Sequence, residues 1–218
     1  MISITAQQSL LLAIAQKLNK TVTVYAIGGT AMMFHGLKDT TLDVDLVFEN
    51  TESRDVFKGG LIALGYKKMD SVIVYGKKKN HPEMFTLGKE RFDLFVNDVI
   101  DFVFSKSMQE RATATHQFEK NLILKIADPH DLILMKCATD RLKDKDDARN
   151  IIQSRQIRWD ILIKEAQNQI ILGRETAVFD LGEFLEHLKE EMNIAIPQAV
   201  LNTLFEYVER QAEAKIRK

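Results

Sequence analysis

Residues 26–47 read AIGGTAMMFHGLKDTTLDVDLV. An apolar, β-branched run, Thr21–Ala26, leads into Gly28-Gly29, and a short apolar stretch ended by Gly36 follows. Asp43 and Asp45 then open a second apolar run, DVDLVF. The alternation in DVDLVF predicts a strand, and in a strand side chains at i and i+2 share a face. Asp43 and Asp45 therefore project together, while Val44 and Leu46 turn the other way into the core. Two acids so close repel each other unless a cation lies between them.

A third acid extends the pattern. RFDLFV, residues 91–96, reads as another strand with Asp93 between Phe92 and Leu94. If it lies beside DVDLV, three carboxylates converge. A hard divalent ion such as Mg²⁺, or Mn²⁺ in its place, suits that set of oxygens. The arrangement is the one that metal-assisted phosphoryl transfer needs. Gly28 and Gly29 fit the same chemistry, because a residue without Cβ lets the backbone approach a phosphate. Thr30 is placed to cap the helix that begins there.

Working outward, Leu10, Leu11, Ile14 and Leu18 give the N-terminus a helical stripe. TESRDVFKGGLIALG predicts a helix with a weak middle at Gly59-Gly60. Strand-like runs follow in YKKMD with SVIVYG, in EMFTLG and in RFDLFV, interrupted by a basic tip at Lys77, Lys78 and Lys79. HQFEKNLILKIA predicts a hairpin. From Asp128-Pro129 helical periodicity takes over, with Leu181, Phe184, Leu185 and Leu188 in one stripe and Leu201, Leu204, Phe205 and Val208 in another. The expected fold class is α+β: a mixed-sheet core with flanking helices over residues 1–127, and a helical part over 128–218 packed on it.

Composition narrows the classes. With 218 residues, 45% of them hydrophobic, the chain can build a sizeable core. Thirty basic residues against 31 acidic ones, a formal net charge of −1, speak against a general nucleic-acid coat. One cysteine, Cys137, excludes a disulfide framework and a cysteine zinc site. No apolar run reaches the roughly 18 residues a bilayer span takes. The start lacks a secretory signal pattern, so the expected setting is the cytoplasm, away from membranes.

The joint motif, GGT followed by LDVDL and a later strand acid in FDLFV, resembles the nucleotidyltransferase superfamily of the DNA polymerase beta type. Gly29 stands where many members have serine, as in the abortive-infection and toxin–antitoxin branch. The resemblance implies a nucleotidyltransferase with Mg²⁺ or Mn²⁺ as cofactor. It would move a nucleoside monophosphate from NTP to a tRNA, another RNA or a protein acceptor, and a toxin would have a cognate antitoxin as partner. It assigns Asp43, Asp45 and Asp93 to catalysis and metal, and Gly28, Gly29 and Thr30 to phosphate contact.

A second stretch, LILMKCATDRLKDKDDARNI, carries Lys136, Asp140, Lys143 and Asp147 on one face if its helix runs without a break. It resembles the K-x-x-A-x-x-x-R-x-K-D-x-x-D motif of that branch. The resemblance makes Lys136 the leading nucleotide-phosphate contact, with Lys143, Arg141, Asp144 and Asp147 beside it. An exposed Lys136 would be dispensable for folding. Two other classes remain in view: a non-catalytic nucleotide-binding module of the same fold, and an antibiotic nucleotidyltransferase with an acidic acceptor pocket.

Overall fold

The structure, a computed structural model, describes residues 1–76, 79–139 and 141–216, with side chains to residue 213. Lys77, Lys78 and Asp140 of the readings above lie outside the described residues. The chain divides into two compact units, residues 1–100 with 104–128, and residues 101–103 with 129–218.

In the first unit a mixed sheet follows the order Thr115–Phe118, Leu122–Ile126, Val22–Ala26, Val44–Phe48, Glu90–Val96, Glu83–Leu87, Lys67–Met69. Two neighbouring pairs are parallel: Leu122–Ile126 with Val22–Ala26, and Val44–Phe48 with Glu90–Val96. The other steps along that path are antiparallel. Central strands of β-branched and aromatic residues bury one face against helices. Val44, Leu46, Phe92 and Leu94 are buried, as alternation demands. Behind them Phe57, from the helix Thr51–Ala63, stands with ring centroids 5.4 Å from Phe48 and 6.1 Å from Phe92. This aromatic cluster backs the two strands that carry the acids.

Of the glycine pair in that helix, Gly60 has a packing reason, whereas a Cβ at Gly59 would meet open space. A methyl at Gly60 would come within 3.1 Å of Leu18 and 3.2 Å of Ile14, so its absence lets the N-terminal helix Ile4–Ala15 and the segment after it lie close. Asn50 caps the same helix by accepting from the Ser53 amide at 2.8 Å.

One strand expectation fails. SVIVYG forms a short helix, Val72–Tyr75, in place of a strand. The Asp70 carboxylate accepts the Val72 amide at 3.0 Å, and the Ser71 carbonyl accepts from Val74 and Tyr75. Local capping thus overrides the β propensity of Val72, Ile73 and Val74.

The second unit is helical: Pro129–Lys136, Leu142–Ser154, Trp159–Ile171, Glu175–Glu190 and Gln198–Ile216. Leu181, Phe184, Leu185, Leu188, Leu201 and Leu204 are buried. Residues 101–103 join this unit through Gln169, which is fully buried. Its side chain accepts the Val103 amide at 3.0 Å and donates to the Val103 carbonyl at 2.8 Å, completing that backbone as a neighbouring strand would. Among the described residues no helix is long and apolar enough to cross a membrane.

A candidate metal centre at a glycine turn

The strand Val22–Ala26 ends at Ile27, and the helix Gly28–Phe34 starts at once. Gly28 takes a positive φ of 53°, a conformation costly for residues with a Cβ. A Cβ there would also stand 2.6 Å from Asp45 Oδ2. At Gly29 a Cβ would stand 2.4 Å from the Thr41 hydroxyl. The two glycines therefore leave room for the acidic segment to fold directly over the turn.

Thr30 is the clamp between turn and acids. Its buried hydroxyl accepts the Asp45 amide at 2.9 Å and reaches the Asp43 carbonyl at 3.5 Å. It lies inside the helix, whose N-cap is Ile27 with no side-chain capping bond. The helix-capping role expected of Thr30 is thus corrected: its hydroxyl spans to the next strand, because both of its nearest backbone partners lie in the D-V-D segment.

Asp43 sits in the bend just before the strand Val44–Phe48, and Asp45 within it. Asp45 and Asp93 are register partners on parallel strands. One carboxylate oxygen from each of Asp43, Asp45 and Asp93 lies within 4.8 Å of the other two. Asp93 is fully buried, whereas Asp43 and Asp45 are half-buried.

Three further residues complete the site, and sequence reasoning had passed over them. Arg91 forms an ion pair with Asp43 Oδ2 through Nη2, and its Nε stands 3.0 Å from Asp93 Oδ1. Tyr75 donates its hydroxyl to Asp93 Oδ2 at 2.7 Å. Thr41 donates to Asp43 Oδ1 at 3.4 Å. Only Arg91 left a signal: it stands two residues before Asp93 on one strand, hence on the same face. Tyr75 was hidden in the segment misread as a strand. His35, near the turn, hydrogen-bonds the Ala127 carbonyl through Nε2 at 2.8 Å.

The second stretch folds differently from the expectation of one continuous face. The helix Pro129–Lys136 stops, and a new helix begins at Leu142, so Lys136 does not share one continuous helical face with Lys143 and Asp147. Lys136 is buried, not exposed. Its ammonium donates to Asp144 Oδ1 at 2.8 Å and Asp147 Oδ2 at 2.6 Å. Arg141 donates to Asp144 Oδ2 at 2.7 Å, and Thr139 donates to the same oxygen. Burial pushes the Asp144 carboxyl up, but the Lys136 charge and bonds from Arg141, Lys136 and Thr139 outweigh it and bring the pKa to about 2. For Lys136, burial lowers the pKa, while Asp144 and Asp147 raise it above the ordinary lysine value. Lys143, by contrast, is exposed.

No protein-family model matches the sequence, and no curated protein matches it. Among solved structures, the chain is similar to ANT(2")-Ia in complex with adenylyl-2"-tobramycin, at a TM-score of 0.46 and 17% identity. The match covers 83% of this chain and 98% of that one.

Proposed function

We propose that the first unit is the catalytic core of a divalent-metal-dependent nucleotidyltransferase. The supporting observation is the meeting of Asp43, Asp45 and Asp93 within 4.8 Å, beside a glycine turn that a single methyl group would close against Asp45. All-oxygen, carboxylate-rich donors fit Mg²⁺ or Mn²⁺ and not a soft metal. Asp43, Asp45 and Asp93 would hold it. When bound, such an ion offsets the negative charge of a triphosphate and raises the acidity of an attacking hydroxyl.

The chain's own residues supply the rest. Gly28 and Gly29 are carried from the resemblance as backbone contacts to phosphate oxygens, and Thr30 ties that turn to the acids through the Asp45 amide. An acceptor hydroxyl oxygen forms a bond to the α-phosphorus as the bond to the β-phosphate oxygen breaks. Pyrophosphate leaves, and a carboxylate of the triad, Asp93 in this reading, takes the hydroxyl proton. Lys136 and Lys143 are carried from the resemblance as further phosphate contacts; for Lys136 this means exchanging a carboxylate partner for a phosphate. The proposed acceptor is an RNA end or a protein hydroxyl, and in a toxin role the activity would be restrained by an antitoxin.

The test is transfer of α-labelled NTP, each of the four in turn, to total RNA and to cell protein in the presence of Mg²⁺. Label on one acceptor class, lost in Asp45→Asn, supports the reading. Equal labelling by wild type and Asp45→Asn contradicts it.

A further inference from the structure

Arg91 forms ion pairs with two of the three acids. Its guanidinium spans Asp43 Oδ2 and Asp93 Oδ1. The other oxygen of each carboxylate already accepts a hydroxyl, Asp43 Oδ1 from Thr41 and Asp93 Oδ2 from Tyr75. On both acids Arg91 thus pairs with the oxygen other than the one that accepts a hydroxyl. Arg91 is about one-fifth exposed, so its side chain has a way out toward solvent.

We infer that Arg91 is an internal counter-cation of the triad, which competes with a bare divalent ion and yields when ion and nucleotide arrive together. The inference rests on the nucleotidyltransferase reading and adds an ordering to it. Charge explains why. Among the described residues, three acids and one guanidinium give the cluster a formal charge of about −2, and the guanidinium limits like-charge repulsion among the acids. A bare divalent ion must evict the guanidinium, which stays tethered nearby and repels it. A triphosphate changes the balance: its oxygens match the planar fork of arginine as well as a carboxylate does, so the displaced guanidinium gains a new partner. Lysine, a point charge, would bridge the two carboxylates less well. Ion and nucleotide then bind with positive coupling, and by linkage each strengthens the other equally.

The experiment measures Mn²⁺ binding to the full chain by the loss of its free-ion electron-spin-resonance signal, with and without a non-hydrolysable NTP analogue. Wild type, Arg91→Gln and Asp93→Asn are compared, and each is melted to check folding. For bare Mn²⁺, Arg91→Gln is expected to bind at least about tenfold tighter than wild type, a small part of what like charges at contact distance exchange near a protein surface. The nucleotide should strengthen Mn²⁺ binding less in the variant than in wild type. Equal or weaker bare-ion binding by Arg91→Gln, with binding by wild type that Asp93→Asn loses, overturns the role of Arg91 and leaves the metal site standing. No binding by wild type or Arg91→Gln, with or without nucleotide, overturns both. If Arg91→Gln folds only with Mn²⁺ present, that supports competition. If it fails to fold at all, Arg91→Lys replaces it, and bare-ion binding no tighter than wild type contradicts the inference.

Discussion

Asp45 and Asp93 stand opposite each other as register partners on two parallel strands, Val44–Phe48 and Glu90–Val96. Their meeting is written into the apolar neighbours of each. Val44, Leu46, Phe92 and Leu94 are all buried on the other face, so a one-residue slip of either strand would bury a carboxylate among aromatic rings. The core thus enforces the like-charge pair, and the site must find its compensation locally.

Gly28→Ala should damage the site more than the fold. A left-handed alanine costs about 1–2 kcal/mol, and the new methyl presses on the Asp45 carboxylate. Thermal melts should show that modest loss, while Mn²⁺ binding falls sharply. An alanine variant with wild-type Mn²⁺ binding would mean that the turn does not shape the acids.

Thr30→Val removes the hydroxyl that the Asp45 amide donates to, at nearly constant volume. Losing such a buried bond costs about 1–3 kcal/mol, measurable by urea unfolding. Thr30→Ser should recover most of it. Equal stability of wild type and the valine variant would show that the clamp contributes nothing.

Lys136→Ala leaves Asp144 and Asp147 buried with their shared ammonium gone. Breaking one side of a buried pair costs about 3–5 kcal/mol, so this variant should unfold at much lower urea concentration. Lys143→Ala, at an exposed position, should stay within about 0.5 kcal/mol of wild type. Two equal, small effects would mean that the Lys136 cluster adds little to stability.

The same cluster fixes a pH window. Asp144 has its pKa depressed to about 2, below its ordinary 3.8. Its contribution is therefore complete above 3.8 and fades as the pH falls toward 2. Lys136 is raised above its ordinary 10.5, so its share persists below 10.5 and disappears only above it. Compare the melting temperature of wild type with that of a charge-free triple variant, Lys136→Met with Asp144→Leu and Asp147→Leu. Their difference should be flat from about pH 5 to about pH 9 and should move against wild type in stronger acid. A difference that slopes through neutrality would contradict the assignment.

The strand-turn-helix at Gly28 and the D-V-D pair were legible because period-two alternation and glycine chemistry are local signals. So was the facing of Asp93, since a lone acid between Phe92 and Leu94 implies a polar spot on a buried strand. The segment 71–76 was not legible: its residues favour strand, and a capping carboxylate from Asp70 decided for a helix. The break after Lys136 was hidden for a related reason. No proline or glycine marks it, and a buried ion-pair cluster, a tertiary property, joins the two helices across it. Arg91 shows the limit most clearly. Its face could be read from its spacing to Asp93, but its engagement with Asp43 depends on strands that are distant in sequence.

The most direct measurement is a crystal structure of the protein grown with Mn²⁺ and a non-hydrolysable NTP analogue, with anomalous scattering to locate the metal. The account predicts a manganese peak bound by Asp43, Asp45 and Asp93, phosphates against Gly28 and Gly29, and the Arg91 guanidinium moved from the carboxylates onto phosphate oxygens. A nucleotide bound elsewhere, or one bound at the turn with no metal on these three acids, would contradict it.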